Sequence, residues 1–305
     1  MTICLIVVYV ILAWVLLNVL VASAAAMWYR AWCRSVPWTP DGIMPSAVPI
    51  DEGSGEDAVL FVHGFNDVPY VWRRFVDELA ARGFHCQAMR LPGAGEADCR
   101  PSLGVLRKAV DDELRTLKAA HRRVVLVGHS MGGALSLDAV LRASGAAGGV
   151  LPDKLVLLAP LIEVSQARCP VLSPYVWYRI LRALLPLLRW VPSVFKEYLH
   201  AEDDNEFVYR RDRFNEIGWY TALFSLVASI RRADRRKVVV PTVVYVGGND
   251  RVVDSNAARL WFADVPCARI VDCPGASHVI PLNYVWNWVI SEISDKQKER
   301  NIYLK

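Results

Sequence analysis

Ser130 lies in Val127-Gly128-His129-Ser130-Met131-Gly132-Gly133, flanked by Gly128 and Gly132 and just past the four apolar residues that end "RRVVLV". A serine hydroxyl attacks a carbonyl poorly near neutral pH. It needs a base to take its proton, and the base needs an acid to hold its tautomer. Two such partners stand downstream, Asp250 in "YVGGNDRVV" and His278 in "PGASHVI". The three residue types together suit acyl transfer through a covalent intermediate. Each also has a plainer reading: Ser130 as the cap of a tight turn, His278 as one structural histidine among six, and the acid as Asp254 or Asp272 instead of Asp250.

The elements that must present these groups come next. From Asp57 onward, short β-branched runs alternate with helical patterns, which predicts an α/β fold: a mostly parallel central sheet with helices on both faces. The expected strands are "AVLFVHG", "HCQAMRL", "RRVVLVG", "KLVLLAP", "VVVPTVVYVGG" and "ARIVDC". The expected helices between them are "VWRRFVDELAARG", "VLRKAVDDELRTLKAAH" and "GGALSLDAVLRAS", whose apolar residues recur at helical spacing. Ligands of such sheets sit at the carboxyl ends of the strands. Ser130 falls between a strand and a helix, a setting in which a sharp turn lifts the hydroxyl clear of the sheet. Gly128 and Gly132 are expected to allow backbone approach where a Cβ would clash. Asp250 and His278 each follow a strand, at the edge where Ser130 is presented.

The set "FVHGF", "LPGAGEAD", "GHSMGG", "GGNDRVVD" and "PGASHVI", running from about Val59 to His278, resembles the α/β-hydrolase superfamily. It is most similar to the branch of monoacylglycerol lipases, lysophospholipases and carboxylesterases. The order Ser130, Asp250, His278 is the order of that superfamily. The resemblance implies an oxyanion hole made by the N–H groups of Phe65 and Met131, with Gly64 letting the backbone approach the substrate. His63 and His129 are expected to line the site and orient loops without transferring protons. Neither a cofactor nor a metal is implied. Asp67 is expected either to bond within the oxyanion turn or to be a solvated turn residue. The chain departs from the family pattern twice. Ala94 stands in "PGAG" where many relatives carry a histidine, and the cap sequence matches no particular member.

Upstream, the run from Ile3 to Ala26 carries no charge. As a helix rising ~1.5 Å per residue it is long enough to cross a hydrocarbon core of ~30 Å, so a retained transmembrane anchor is expected. A cleaved secretory signal is the competing reading, with Ala22-Ser23-Ala24 as the small-residue site. No Lys or Arg precedes the run, however, and it exceeds the ~7 to 15 residues of a signal's apolar region. A buried core helix is the third reading. Arg30 and Arg34 follow the span, which places the catalytic domain in the cytoplasm by the positive-inside rule, and Trp28, Tyr29 and Trp32 would form an aromatic belt there. The expected organisation is an anchor region over 1–35, a linker over 36–55 and a hydrolase domain over 56–305, with a helical cap inserted at about 161–236.

Within that cap, "PYVWYRILRALLPLLRWVP" places Arg179, Arg182 and Arg189 near one helical face, with Trp177, Leu181, Leu184, Leu185 and Leu188 over much of the rest. Such a helix suits a membrane interface or a lid over a substrate tunnel, and Pro186 should kink or end it. A basic run from Arg231 to Lys237 suits an anionic surface or plain solvation. Hydrophobic residues make up 54% of the 305, which excludes a disordered chain, and a net charge of +4 without an aromatic-interleaved basic patch gives no support for nucleic acid binding. Seven scattered cysteines lack metal-ligand spacing and read as small hydrophobes. The expected activity is cleavage of a carboxylic ester, of a mono- or lysoacyl lipid, at a membrane. The alternatives are another acyl or C–C bond hydrolase on the same residues, such as a thioesterase or aminopeptidase, and a silent, membrane-tethered binding module. Epoxide- or halide-opening relatives use an Asp nucleophile, which Ser130 argues against.

Overall fold

Uninterrupted apolar stretches such as "VVLV" and "VLLA" give strands buried on both faces, as a parallel sheet covered on each side requires. The structure, a computed structural model, describes residues 2–169 and 171–295. Its strands are β1 (Ile50–Glu52), β2 (Asp57–Val62), β3 (His85–Met89), β4 (Arg123–His129), β5 (Lys154–Leu158), β6 (Trp190–Pro192), β7 (Tyr198–His200), β8 (Val208–Arg210), β9 (Phe214–Glu216), β10 (Thr242–Gly247) and β11 (Ala268–Cys273). Seven of them form one sheet in the order β1-β3-β2-β4-β5-β10-β11. Every pairing in it is parallel except that of the edge strand β1 with β3. All residues of β2, β4, β5 and β10 are buried.

The helices are α1 (Thr2–Cys33), α2 (Arg73–Ala81), α3 (Leu103–Ala120), α4 (Met131–Ala143), α5 (Pro174–Leu184), α6 (Ile217–Arg232), α7 (Ser255–Phe262) and α8 (Trp286–Ser294). Helix α4 packs on β4, α3 and α6, while α2 packs on β3 and α8. The chain order crosses from β3 to β4 over β2, and β10 joins β5 only after the long insertion. Strand order reverses between β2 and β4, where such sheets bind ligands at their carboxyl ends.

Three expectations change. The residues 36–55, expected as a linker, hold the edge strand β1 and the buried Met44 and Ala47. The cap, expected as helical, is mixed: between α5 and α6 lie two short antiparallel pairs, β6 with β9 and β7 with β8. Helix α5 stops at Leu184, ahead of Pro186, so Arg189 lies outside it and is hydrogen-bonded to Asp98.

Helix α1 also runs further than the expected span. Its apolar part is almost wholly exposed, with large side chains from Ile3 to Leu20 pointing outward. The helix touches the cap through Trp14 and the buried Asn18, both bonded to Leu184 O, and its last turns dock there by aromatic contacts. Tyr29 stacks on Trp190 at 3.5 Å between ring centroids, and Trp32 lies 6.0 Å from Phe214. Tyr29 and Trp32 are therefore core residues and not an aromatic belt, while Trp28 stays 68% exposed. Held against Trp190 and Phe214, the Tyr29 and Trp32 rings gain aromatic contacts within the protein.

Candidate active site

The turn that carries Ser130 is built by steric necessity. Strand β4 ends at His129 and α4 begins at Met131, so one residue must reverse the chain direction. That residue is Ser130, with φ of 53° and ψ of −119°, a region most L residues avoid. The turn is locked on both sides: Ser130 N–H donates to Leu158 O at 2.9 Å, and Leu161 N–H donates to Ser130 O at 3.0 Å. A Cβ on Gly128 would lie 2.6 Å from Gly132 O and from Gly133 Cα, and one on Gly132 would overlap the carbonyl oxygens of Val62 and His63. Gly128 thus lets β4 pass close against the start of α4, and Gly132 lets α4 pack against the end of β2.

Three side chains converge there. Ser130 Oγ lies 2.9 Å from His278 Nε2, and His278 Nδ1 lies 2.7 Å from Asp250 Oδ2. With Nδ1–H donating to the carboxylate, Nε2 is left to accept the hydroxyl proton. The other oxygen of Asp250 accepts from the N–H groups of Val252 and Val253, at 2.8 and 3.0 Å. Burial alone would raise the Asp250 carboxyl, but the pull of His278 and these N–H bonds outweighs it and holds the group below its ordinary value. The rival acids are occupied elsewhere: Asp254 caps α7 by accepting from Asn256 and Ala257 N–H, and Asp272 pairs with Arg259.

The turn after β2 lies against the serine. A Cβ on Gly64 would sit 3.1 Å from Ser130 Cβ, so the Phe65 segment passes directly beside the nucleophile candidate. Met131 N–H belongs to the open first turn of α4. The Phe65 ring meets Trp219 and Tyr220 of α6, which extends the cap over this corner. Ser130 is only 6% exposed.

His63 and His129 are buried and held neutral. Burial lowers His63 to about 4; its Nδ1–H donates to Gly64 O, and Nε2 accepts from Leu91 N–H. Burial lowers His129 to about 3, and its Nε2–H donates to His278 O at 3.0 Å. Its Nδ1 is 3.9 Å from Asp67 Oδ2, but a neutral ring makes no ion pair there. Asp67 is not a solvated turn residue: it is 3% exposed, and its Oδ1 accepts from Val68 N–H and from the hydroxyl of Tyr209 in β8. Burial raises Asp67 to about 6. Tyr209 carries no signal in the sequence, because its partner is 142 residues away. Ala94 is buried in the loop after β3, whose Leu91 N–H bonds to His63.

A parallel sheet that presents serine, histidine and aspartate together at the ends of its strands is the architecture of the α/β-hydrolases. The chain belongs to the alpha/beta hydrolase family, whose model matches residues 59–284. Among solved structures, the lipolytic enzymes LipS and LipT from a metagenome resemble it with a TM-score of 0.65 and 16% identity, over 86% of this chain and 100% of theirs. The monoglyceride lipase of Saccharomyces cerevisiae gives 0.64 and 17%, over 83% and 91%. The monoacylglycerol lipase of Paleococcus ferrophilus gives 0.61 and 18%, over 81% and 97%. At this identity the likeness is one of fold. A curated epoxide hydrolase of Caballeronia sordidicola is 36% identical over 94 residues, which span 30% of this chain and 28% of that protein.

Proposed function

We propose that this protein is a membrane-anchored serine hydrolase that cleaves a carboxylic ester of a mono- or lysoacyl lipid. The observation that carries the reading is the continuous hydrogen-bonded chain from Ser130 Oγ through His278 to Asp250, set on a strained elbow at the strand ends. As Oγ attacks the ester carbonyl, its proton passes to His278 Nε2, and Asp250 stabilises the imidazolium. The N–H groups of Phe65 and Met131 receive the oxyanion, an interaction worth roughly 3–4 kcal/mol per donor in comparable enzymes. The tetrahedral adduct collapses, His278 returns the proton to the departing alcohol, and the acyl group stays on Ser130. Water, deprotonated by His278, then releases the acid and regenerates the serine.

The lipid assignment rests on the surroundings of the site. Helix α1 is long and apolar enough to cross a membrane, and α5 buries none of its residues, leaving Tyr175, Trp177 and Leu184 exposed. An enzyme held beside the bilayer meets acyl esters at high local concentration. A serine at the elbow, with no aspartate in its place, speaks against epoxide opening. We place the catalytic domain on the cytoplasmic side from Arg30 and Arg34; protease accessibility in sealed vesicles of known sidedness tests that placement.

Fluorophosphonate labelling of wild type beside Ser130→Ala and His278→Ala tests the chemistry. Labelling of wild type alone is the expected result, followed by turnover of p-nitrophenyl esters with an optimum at medium or long chains. A wild type that stays unlabelled in both detergent and lipid overturns the reading.

A further inference from the structure

The anchor helix and the cap meet along a seam. Toward the N-terminus of α1, Trp14 Nε1–H and Asn18 Nδ2–H both donate to Leu184 O, at 2.9 and 3.0 Å. Toward its C-terminus, Tyr29 stacks on Trp190. Along the seam, from Ala22 past this stack to Arg34, runs an open cavity of about 620 Å³ that Tyr29 and Trp190 help to line, inside the range of about 300–1,000 Å³ typical of ligand pockets. Ala22, Ala26 and Leu187 give it an apolar wall, and Arg30, Arg34 and Arg189 a cationic one. Asp98 also lines it, but it already accepts from Arg189, whose guanidinium lies over the Trp190 ring. Arg30 and Arg34 are exposed and pair with no acidic group among the described residues.

The polarity of this cavity is ordered along the helix axis. At ~1.5 Å per residue, Ala26 and Ala22 lie about 6 and 12 Å from Arg30 along the helix axis. A phospholipid has the same order, anionic outside and apolar inside. We infer that the seam is a binding site for an anionic phospholipid of the host leaflet, its phosphate held by Arg30 and Arg34 and its upper chains laid on Ala22, Ala26 and Leu187. The inference rests on the reading of α1 as membrane-embedded. The bound lipid fills the seam and ties the anchor to the cap.

The test uses the full chain in phosphatidylcholine vesicles doped with a phosphatidylglycerol that carries a diazirine in its upper acyl chain. After irradiation, the label maps to the peptides spanning 22–34 and 187–190. Arg30→Gln with Arg34→Gln lowers labelling on the order of tenfold, whereas the charge-matched pair Lys108→Gln with Arg115→Gln on exposed α3 leaves it unchanged. Excess inorganic phosphate does not compete. Equal loss in both pairs, or label spread along α1 without regard to the arginines, overturns the site, and full competition by phosphate overturns its assignment to a lipid. Alkaline carbonate extraction of the same vesicles separates the two ideas: a chain that washes off ends both the anchor reading and the seam site, while a chain that stays and labels indifferently ends only the site.

Discussion

The proposed reaction depends on each residue being held in a single chemical state. Asp250 is kept ionised, so Asp250→Asn changes the tautomer that His278 presents and lowers kcat by about four orders of magnitude while the fold persists, as steady-state kinetics beside a thermal melt would report. Asp67 behaves oppositely. Burial raises it from 3.8 to about 6, so the folded state binds this proton more tightly than the unfolded chain does. Its contribution to stability is full below about pH 4 and is lost as pH climbs through about 6. Asp67→Asn removes that loss. Its amide keeps an oxygen for Val68 and Tyr209 and turns an N–H toward His129 Nδ1, which has no hydrogen-bond partner among the described residues. A melt of the variant should stand above wild type at pH 8, with the gap closing toward pH 4.

At the scale of elements, two glycines make graded demands. Gly132→Ala drives a methyl onto the carbonyl oxygens of Val62, the last residue of β2, and of His63, both backbone, so it should cost several kcal/mol and show as a depressed Tm. Gly64→Ala meets Ser130 Cβ at 3.1 Å, a contact that a small shift relieves. That variant should fold with a near-normal Tm and lose turnover, because the displaced turn carries the proposed oxyanion donor at Phe65. The need for glycine at 64, 128 and 132 was legible in the sequence, as were the parallel strands and the residues at their ends, because those features depend on local order and period. The β6–β9 and β7–β8 pairs were not. Three-residue strands have too few alternations to show a period, and they form only because distant partners such as Trp190 and Glu216 are brought together. Likewise, the link from Tyr209 to Asp67 joins residues that no spacing rule connects.

For the whole molecule, the boundary between the proposed anchor and the domain is set by packing more than by composition. The sequence marks the end of the apolar run at Ala26, yet the same helix continues to Cys33 and buries Tyr29 and Trp32 in the cap. Deleting residues 1–26 should therefore give a soluble protein that still labels with fluorophosphonate. Deleting 1–35 should lower Tm sharply, since loss of a large buried aromatic costs about 3–5 kcal/mol and two are removed. A continuous α-helix turns ~100° for each residue. One alanine inserted between Ala26 and Tyr29 would swing the anchor's Asn18 face by that angle relative to the domain, whereas a glycine-serine tether would transmit no angle at all. In the proposed membrane-anchored form the helix therefore acts as a keyed shaft: it sets the compass heading of the domain on the membrane as well as its distance from it.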